Sequence, residues 1–164
     1  MTTKSDYNDE EWQLLLDIPM FVGAAVMVSG KSGLGTIKES FTLAHENMSA
    51  VKKFPNNNLI QAILSARTKD KEKSSIESFS HPMLKMQPDE FKDAVVQKCR
   101  EADALLKQKS TPSEAQEYRT WITTIADKVA HAASEGGILG IGGEQFSEPE
   151  KIAINEINSA LGIS

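Results

Sequence analysis

At three sites in this chain a threonine or serine followed three residues later by glutamate heads a stretch read as a helix, with apolar residues spaced three and four apart. The sites are Thr36-Ile37-Lys38-Glu39, Thr111-Pro112-Ser113-Glu114 and Ser147-Glu148-Pro149-Glu150. In such a capping box each side chain satisfies an amide that the first helical turn leaves free, so the pattern fixes a helix start. Proline at the first helical position of the second box strengthens it, because the missing N–H would be unbonded there anyway. No stretch alternates polar and apolar residues as a half-buried strand must. These signals predict an all-α single-domain helical bundle of four main helices plus short extra helices.

The apolar spacing places the elements. Trp12, Leu15, Leu16, Pro19, Met20 and Met27 fall on one helical face, with a kink or break expected near Pro19. After Gly30-Lys31-Ser32-Gly33-Leu34-Gly35, a helix carries Ile37, Phe41, Ala44, Met48 and Val51, and Pro55 with three asparagines closes it. Leu59, Ile63 and Leu64 support a short helix to about Arg67. Residues 68–87 read as a surface connection with room for one short helix. A long helix from Pro88 to about Lys109 presents Phe91, Val95, Cys99, Ala102 and Leu106. The next presents Tyr118, Ile122, Ile125, Val129 and Ala133 with Trp121 alongside, and the last presents Ile154, Ile157 and Leu161 before Gly162. Residues 1–7 are polar and read as a disordered lead-in; residues 8–164 form the bundle. An alanine-containing helix, a glycine-rich turn and a capping box occur at 24–39 and again at 130–150, as any bundle with glycine at its turns would show.

Charge and cysteine content narrow the function classes. The chain has 164 residues and a net charge of −5, which disfavours nucleic acid as a general partner because phosphate binding needs a cationic face. Residues 51–73 hold six cations (Lys52, Lys53, Arg67, Lys69, Lys71, Lys73) against Asp70 and Glu72, the pattern of a solvated loop and helix end. A lone cysteine, Cys99, rules out an internal disulfide and reads as core. The acidic N-terminus is unlike a secretory leader. The longest apolar run, Ile18 to Val28, is too short to span a bilayer. The expectation is a cytoplasmic protein without membrane insertion.

Catalytic motifs are weak. Ala25-Val26-Met27-Val28-Ser29-Gly30-Lys31-Ser32 meets a relaxed phosphate-loop pattern, but its intervening residues are mainly apolar and no strand precedes it. An EF-hand register over the same turn puts Gly30, Leu34 and Phe41 where oxygen ligands are needed, so calcium binding fails on chemistry. Asp127, His131 and Glu135 recur every fourth residue on one helix face and offer a divalent metal oxygen and nitrogen ligands, though i, i+4 surface pairing explains the same spacing. Paired Glu-x-x-His motifs of a di-iron bundle do not occur. No catalytic residues are assigned.

The segment Gly136-Gly137-Ile138-Leu139-Gly140-Ile141-Gly142-Gly143 holds five of the ten glycines with three large apolar residues. It reads as a shaped apolar turn, packed or presented for contact. Two groups of residues carry a resemblance. One is Trp12 with Leu15-Leu16, Pro19, Val22 and Ala25-Val26; the other runs from Val129-Ala130 through Glu135-Gly136-Gly137, Leu139-Gly140 and Gly142-Gly143 to Ser147 and Glu150. Together they resemble an uncharacterised family of small all-helical bacterial proteins. That resemblance covers both ends of the chain, leaves about residues 55–110 unmatched, and implies a compact bacterial cytoplasmic protein with no catalytic set. A weaker similarity is to TerB-like helical domains, which implies a metal role; Gly33, Leu34 and Ile141 stand at the turns where those domains are acidic. The expected function is protein–protein contact with an unknown partner or a homo-oligomer. The contact surface expected for it is the turn at 136–146, with Gly137, Ile138, Leu139, Gly140, Ile141 and Gly142, together with the first-helix end at 28–36. The alternative is a metal- or small-ligand-binding bundle using Asp127, His131 and Glu135.

Overall fold

A computed structural model describes residues 2–30, 54–69, 82–135 and 147–163, the side chains of 68, 69, 84 and 132–135 excepted. The expected helix at 36–51 and the turn at 136–146 lie outside the described residues. Within them the regular structure is entirely helical: α1 (Asp9–Ser29), α2 (Asn58–Lys69), α3 (Pro88–Lys109), α4 (Pro112–Glu135) and α5 (Glu148–Ala160), with 3₁₀ turns at Lys4–Asp6 and Pro82–Lys85. The fold is all-α, as the capping boxes predict.

The axis of the molecule is α1, whose residues from Ile18 to Met27 are buried without interruption. A helix apolar on every side has to be surrounded, and α3, α4 and α5 surround it, with α3 and α4 making the most extensive contacts. Glu11 meets Lys109 and Phe21 meets Phe91, so α3 runs antiparallel to α1. Tyr7 bonds Ser110 and Leu15 bonds Tyr118, so α4 runs parallel to it. Because α1 extends back to Asp9, it is longer than the apolar run within it. By length and composition it could cross a membrane; in this fold two-thirds (67%) of its apolar window is buried inside the protein.

Proline at position 19 does not break α1, contrary to one sequence expectation. Its missing N–H leaves the carbonyl of Leu15, four residues back, without a helical donor. The Tyr118 hydroxyl, fully buried on α4, donates to that carbonyl at 2.9 Å. Beside it the Arg67 guanidinium, from the end of α2, donates through Nε and Nη2 to the Leu16 carbonyl, reaches the Met20 thioether, and lies 3.4 Å from an Asp17 oxygen. The sequence reads Arg67 as part of a solvated cationic tract; instead it is 6% exposed. Burial pulls its pKa down while Asp17 supports the charge. Tyr118, distant in sequence, thereby closes the gap that Pro19 opens, and Arg67 adds donors to the carbonyl next to it.

The N-terminal lead-in is likewise held. Thr2 is buried, its N–H donating to Glu114 Oε1 at 2.9 Å and its hydroxyl to Oε2 at 2.6 Å. Glu114 also takes the Thr111 amide and hydroxyl in the capping box of α4. The segment is mostly polar and gives little apolar signal in sequence; Glu114 holds its start, and the buried Tyr7 ring, bonded to Ser110, holds its end. Asn57, read as closing the preceding helix, instead opens α2: its Oδ1 accepts from the Ile60 amide, while its Nδ2 donates to the Glu114 carbonyl and the Glu117 carboxylate. At the other end of the chain α5 closes with Gly162 at φ +70°, its amide on Ser159 and the Ile163 amide on Asn158. This is the 5→2 and 6→1 pairing that glycine favours.

Tyr118→Phe is expected to lower stability by about 1–3 kcal/mol, the cost of a buried carbonyl left without a donor. In a Pro19→Ala background, where residue 19 regains its N–H, the same change is expected to cost markedly less. Urea unfolding of the four proteins measures this coupling, and equal losses in both backgrounds would contradict the assignment. Glu114 supplies a pH test. Burial alone pushes its pKa up, but the four donors from Thr2 and Thr111 outweigh it and hold the carboxyl at about 2, below its ordinary 4.5. A depressed carboxylate stabilises above its unfolded pKa, so this contribution is full above pH 4.5 and drains away as the pH falls toward about 2. Glu114→Gln is expected to be less stable than wild type by about 2 kcal/mol at neutral pH, with the gap closing over that acid window.

Candidate functional site

Both glycine-rich segments join the described structure at one pole of the bundle. The first leaves from Gly30 at the end of α1, and the second runs from the end of α4 to Ser147 at the start of α5. The pole is built by the third capping box. Glu150 Oε2 accepts from the Ser147 amide at 2.8 Å and from its hydroxyl at 2.7 Å, which folds the carboxylate back over the start of α5. Its other oxygen then packs against Gly30: a Cβ on residue 30 would stand 2.7 Å from Oε1 and 2.9 Å from Cδ. Glu150 is buried at 5% exposure, so it has little room to yield. A larger residue at position 30, where φ is an ordinary −72°, would therefore make the Glu150 carboxylate shift. Ser29 turns its hydroxyl back onto the Ala25 carbonyl, ending α1 beside this contact.

Asp127 and His131 lie on α4 within its last turns. The His131 ring bonds through Nδ1 to the Asp127 backbone carbonyl at 2.8 Å, not to the Asp127 carboxylate. In that bond Nδ1 donates, because a carbonyl oxygen can only accept. Partial burial raises the Asp127 pKa, and His131 opposes the shift. The Glu135 side chain lies outside the described residues, as do Gly137, Ile138, Leu139, Gly140, Ile141 and Gly142. Among the described residues no group of three metal-ligating side chains is brought together.

Cys99 sits fully buried in the α3 stripe, where loss of solvation pushes its thiol up to about 12. A group so placed does not ionise near neutrality and is not a nucleophile. The remaining buried charges hold the frame: Asp103 Oδ1 takes Nε and Nη2 of Arg119 at 2.8 and 2.6 Å, and its Oδ2 takes Lys107 at 2.6 Å. The Gly30–Glu150 approach has no signal in the sequence, where Gly30 reads only as the end of a helix. The capping box that aims Glu150 is legible; the residue it is aimed at is 120 positions away. No family model, curated protein or solved structure matches the chain.

Thiol reagents test the Cys99 placement directly. The native protein is expected to react with an aromatic disulfide reagent only at its unfolding rate, and fully in denaturant; rapid native labelling would show the thiol to be accessible.

Proposed function

We propose that this chain is a non-enzymatic helical protein of the bacterial cytoplasm that acts through contact with another protein, and that its contact surface is the Gly30–Glu150 pole. The observation that carries this reading is the close approach of Gly30 to Glu150, which gathers the attachment points of both glycine-rich segments at one end. Glycine at the end of α1 and a buried carboxylate at the start of α5 fix the spacing of those points. Each segment brings backbone able to approach a partner closely, and residues 136–146 add Ile138, Leu139 and Ile141 as apolar anchors. Cys99, the nucleophile of greatest intrinsic reactivity, is committed to the core and lies away from the pole. The likeness of the two end motifs to small all-helical bacterial proteins supports the setting.

Photo-crosslinking in the producing cell tests the proposal. A diazirine side chain at position 138 or 141 is expected to give one discrete higher-mass adduct. The same group at Gln108, at the opposite end of the bundle, is expected to give none. No adduct from the pole, or equal adducts from both ends, would overturn the reading. Gly30→Ala supplies a stability companion: it forces Glu150 out of its cap and is expected to cost about 1 kcal/mol in thermal or denaturant unfolding.

A further inference from the structure

Helices α3 and α5 lie side by side in the same direction, tied by Lys92 Nζ to Glu156 Oε2 at 2.7 Å. Between them is a groove of about 370 Å³ lined by Asp93, Val96, Arg100, Asn155, Glu156 and Ser159. Ile152 continues the α5 side, three and four residues before Asn155 and Glu156 and therefore on their face. At 53% exposure it is the exposed large apolar side chain among the described residues.

Charge along α3 indicates what fits there. Asp93 and Arg100 are seven residues apart, two helical turns or about 10 Å along one face. The Asp93 side chain is 75% exposed and has to share Lys92 with Glu156. Arg100 donates to the neutral oxygen of Gln97 at 3.2 Å. The stripe thus carries a negative charge at one end and a positive charge at the other, with Val96 and Gln97 midway between them.

We infer that a second copy of the chain docks on this groove, α3 against α3 and antiparallel, about a two-fold axis at Val96 and Gln97. Such an interface is self-complementary: Asp93 of each copy meets Arg100 of the other, and the pairing occurs twice. A parallel arrangement would set Asp93 against Asp93 and Arg100 against Arg100, so the charges select the antiparallel one. Val96 supplies the apolar floor and Ile152 extends it along α5. This surface shares no residue with the Gly30–Glu150 pole, so its failure would leave the crosslinking test of that pole unaffected.

Sedimentation equilibrium of the full chain, over a concentration series reaching the millimolar range, tests the inference with Asp93→Arg, Arg100→Asp and the double variant. Wild type is expected to dimerise. Each single reversal places like charges opposite each other at two points and is expected to weaken association at least about tenfold. The double swap is expected to return it to the wild-type level, and added salt to weaken every charge-paired dimer. Both side chains are exposed, so circular dichroism is expected to show unchanged helicity in all four proteins. A wild type monomeric throughout, or a double variant no better than the single ones, would overturn the inference.

Discussion

The carbonyl of Leu15 is the point on which the rest of the architecture depends. Pro19 removes its helical donor in the middle of a helix that is buried on all sides, where water is not at hand to replace it. The fold answers with the Tyr118 hydroxyl, and sets the Arg67 guanidinium on the neighbouring carbonyl. The two contacts come from different helices: the backbone vacancy ties α4 to α1, and the neighbouring carbonyl ties α2 to it. Arg67 could not be buried at this depth without the carbonyl, the thioether and Asp17 around it, because an isolated cation in the core costs several kcal/mol. The polar demand of α1 and the charge demand of Arg67 are met by the same contact.

Carboxylates tie the ends of the bundle in a similar way. Glu114 begins α4 and also holds Thr2; Glu150 begins α5 and also packs on Gly30; Asp103 holds Arg119 and Lys107 and lies 3.5 Å from where a Cβ on Gly162 would stand. Each does a local task and a long-range one. The local task fixes its rotamer, and a fixed rotamer is what lets it contact a distant segment at low entropic cost. The Gly30–Glu150 pole is one product of this arrangement. There a capping residue is aimed at a helix terminus, and the two segments richest in glycine attach around it.

Much of the scaffold was legible because its signals are local. The helix from Pro88 to Lys109 and the starts of α4 and α5 follow from spacing and capping chemistry that act within four residues. The role of Arg67 was not legible, since a cation beside Lys69 and Lys71 looks solvated until the Leu16 carbonyl is brought to it. Asn57 reads as the close of one helix and proves to be the opening of the next, because Asn suits both ends and only the bond to Ile60 decides. Of the candidate metal trio, the i, i+4 spacing places Asp127 and His131 on one face. The histidine nevertheless bonds backbone, a choice the spacing does not specify.

By itself, then, the sequence determined the all-helical class, most helix boundaries and the apolar stripes, because turn-by-turn hydrogen bonding and side-chain periodicity are properties of neighbouring residues. Only the tertiary structure decided that Pro19 stays inside a continuous helix, that Arg67 is buried, that Thr2 is ordered and that Gly30 meets Glu150. Each of these is a polar or steric demand met by a residue at least 47 positions away, and chain closure over such distances leaves no mark on the local pattern.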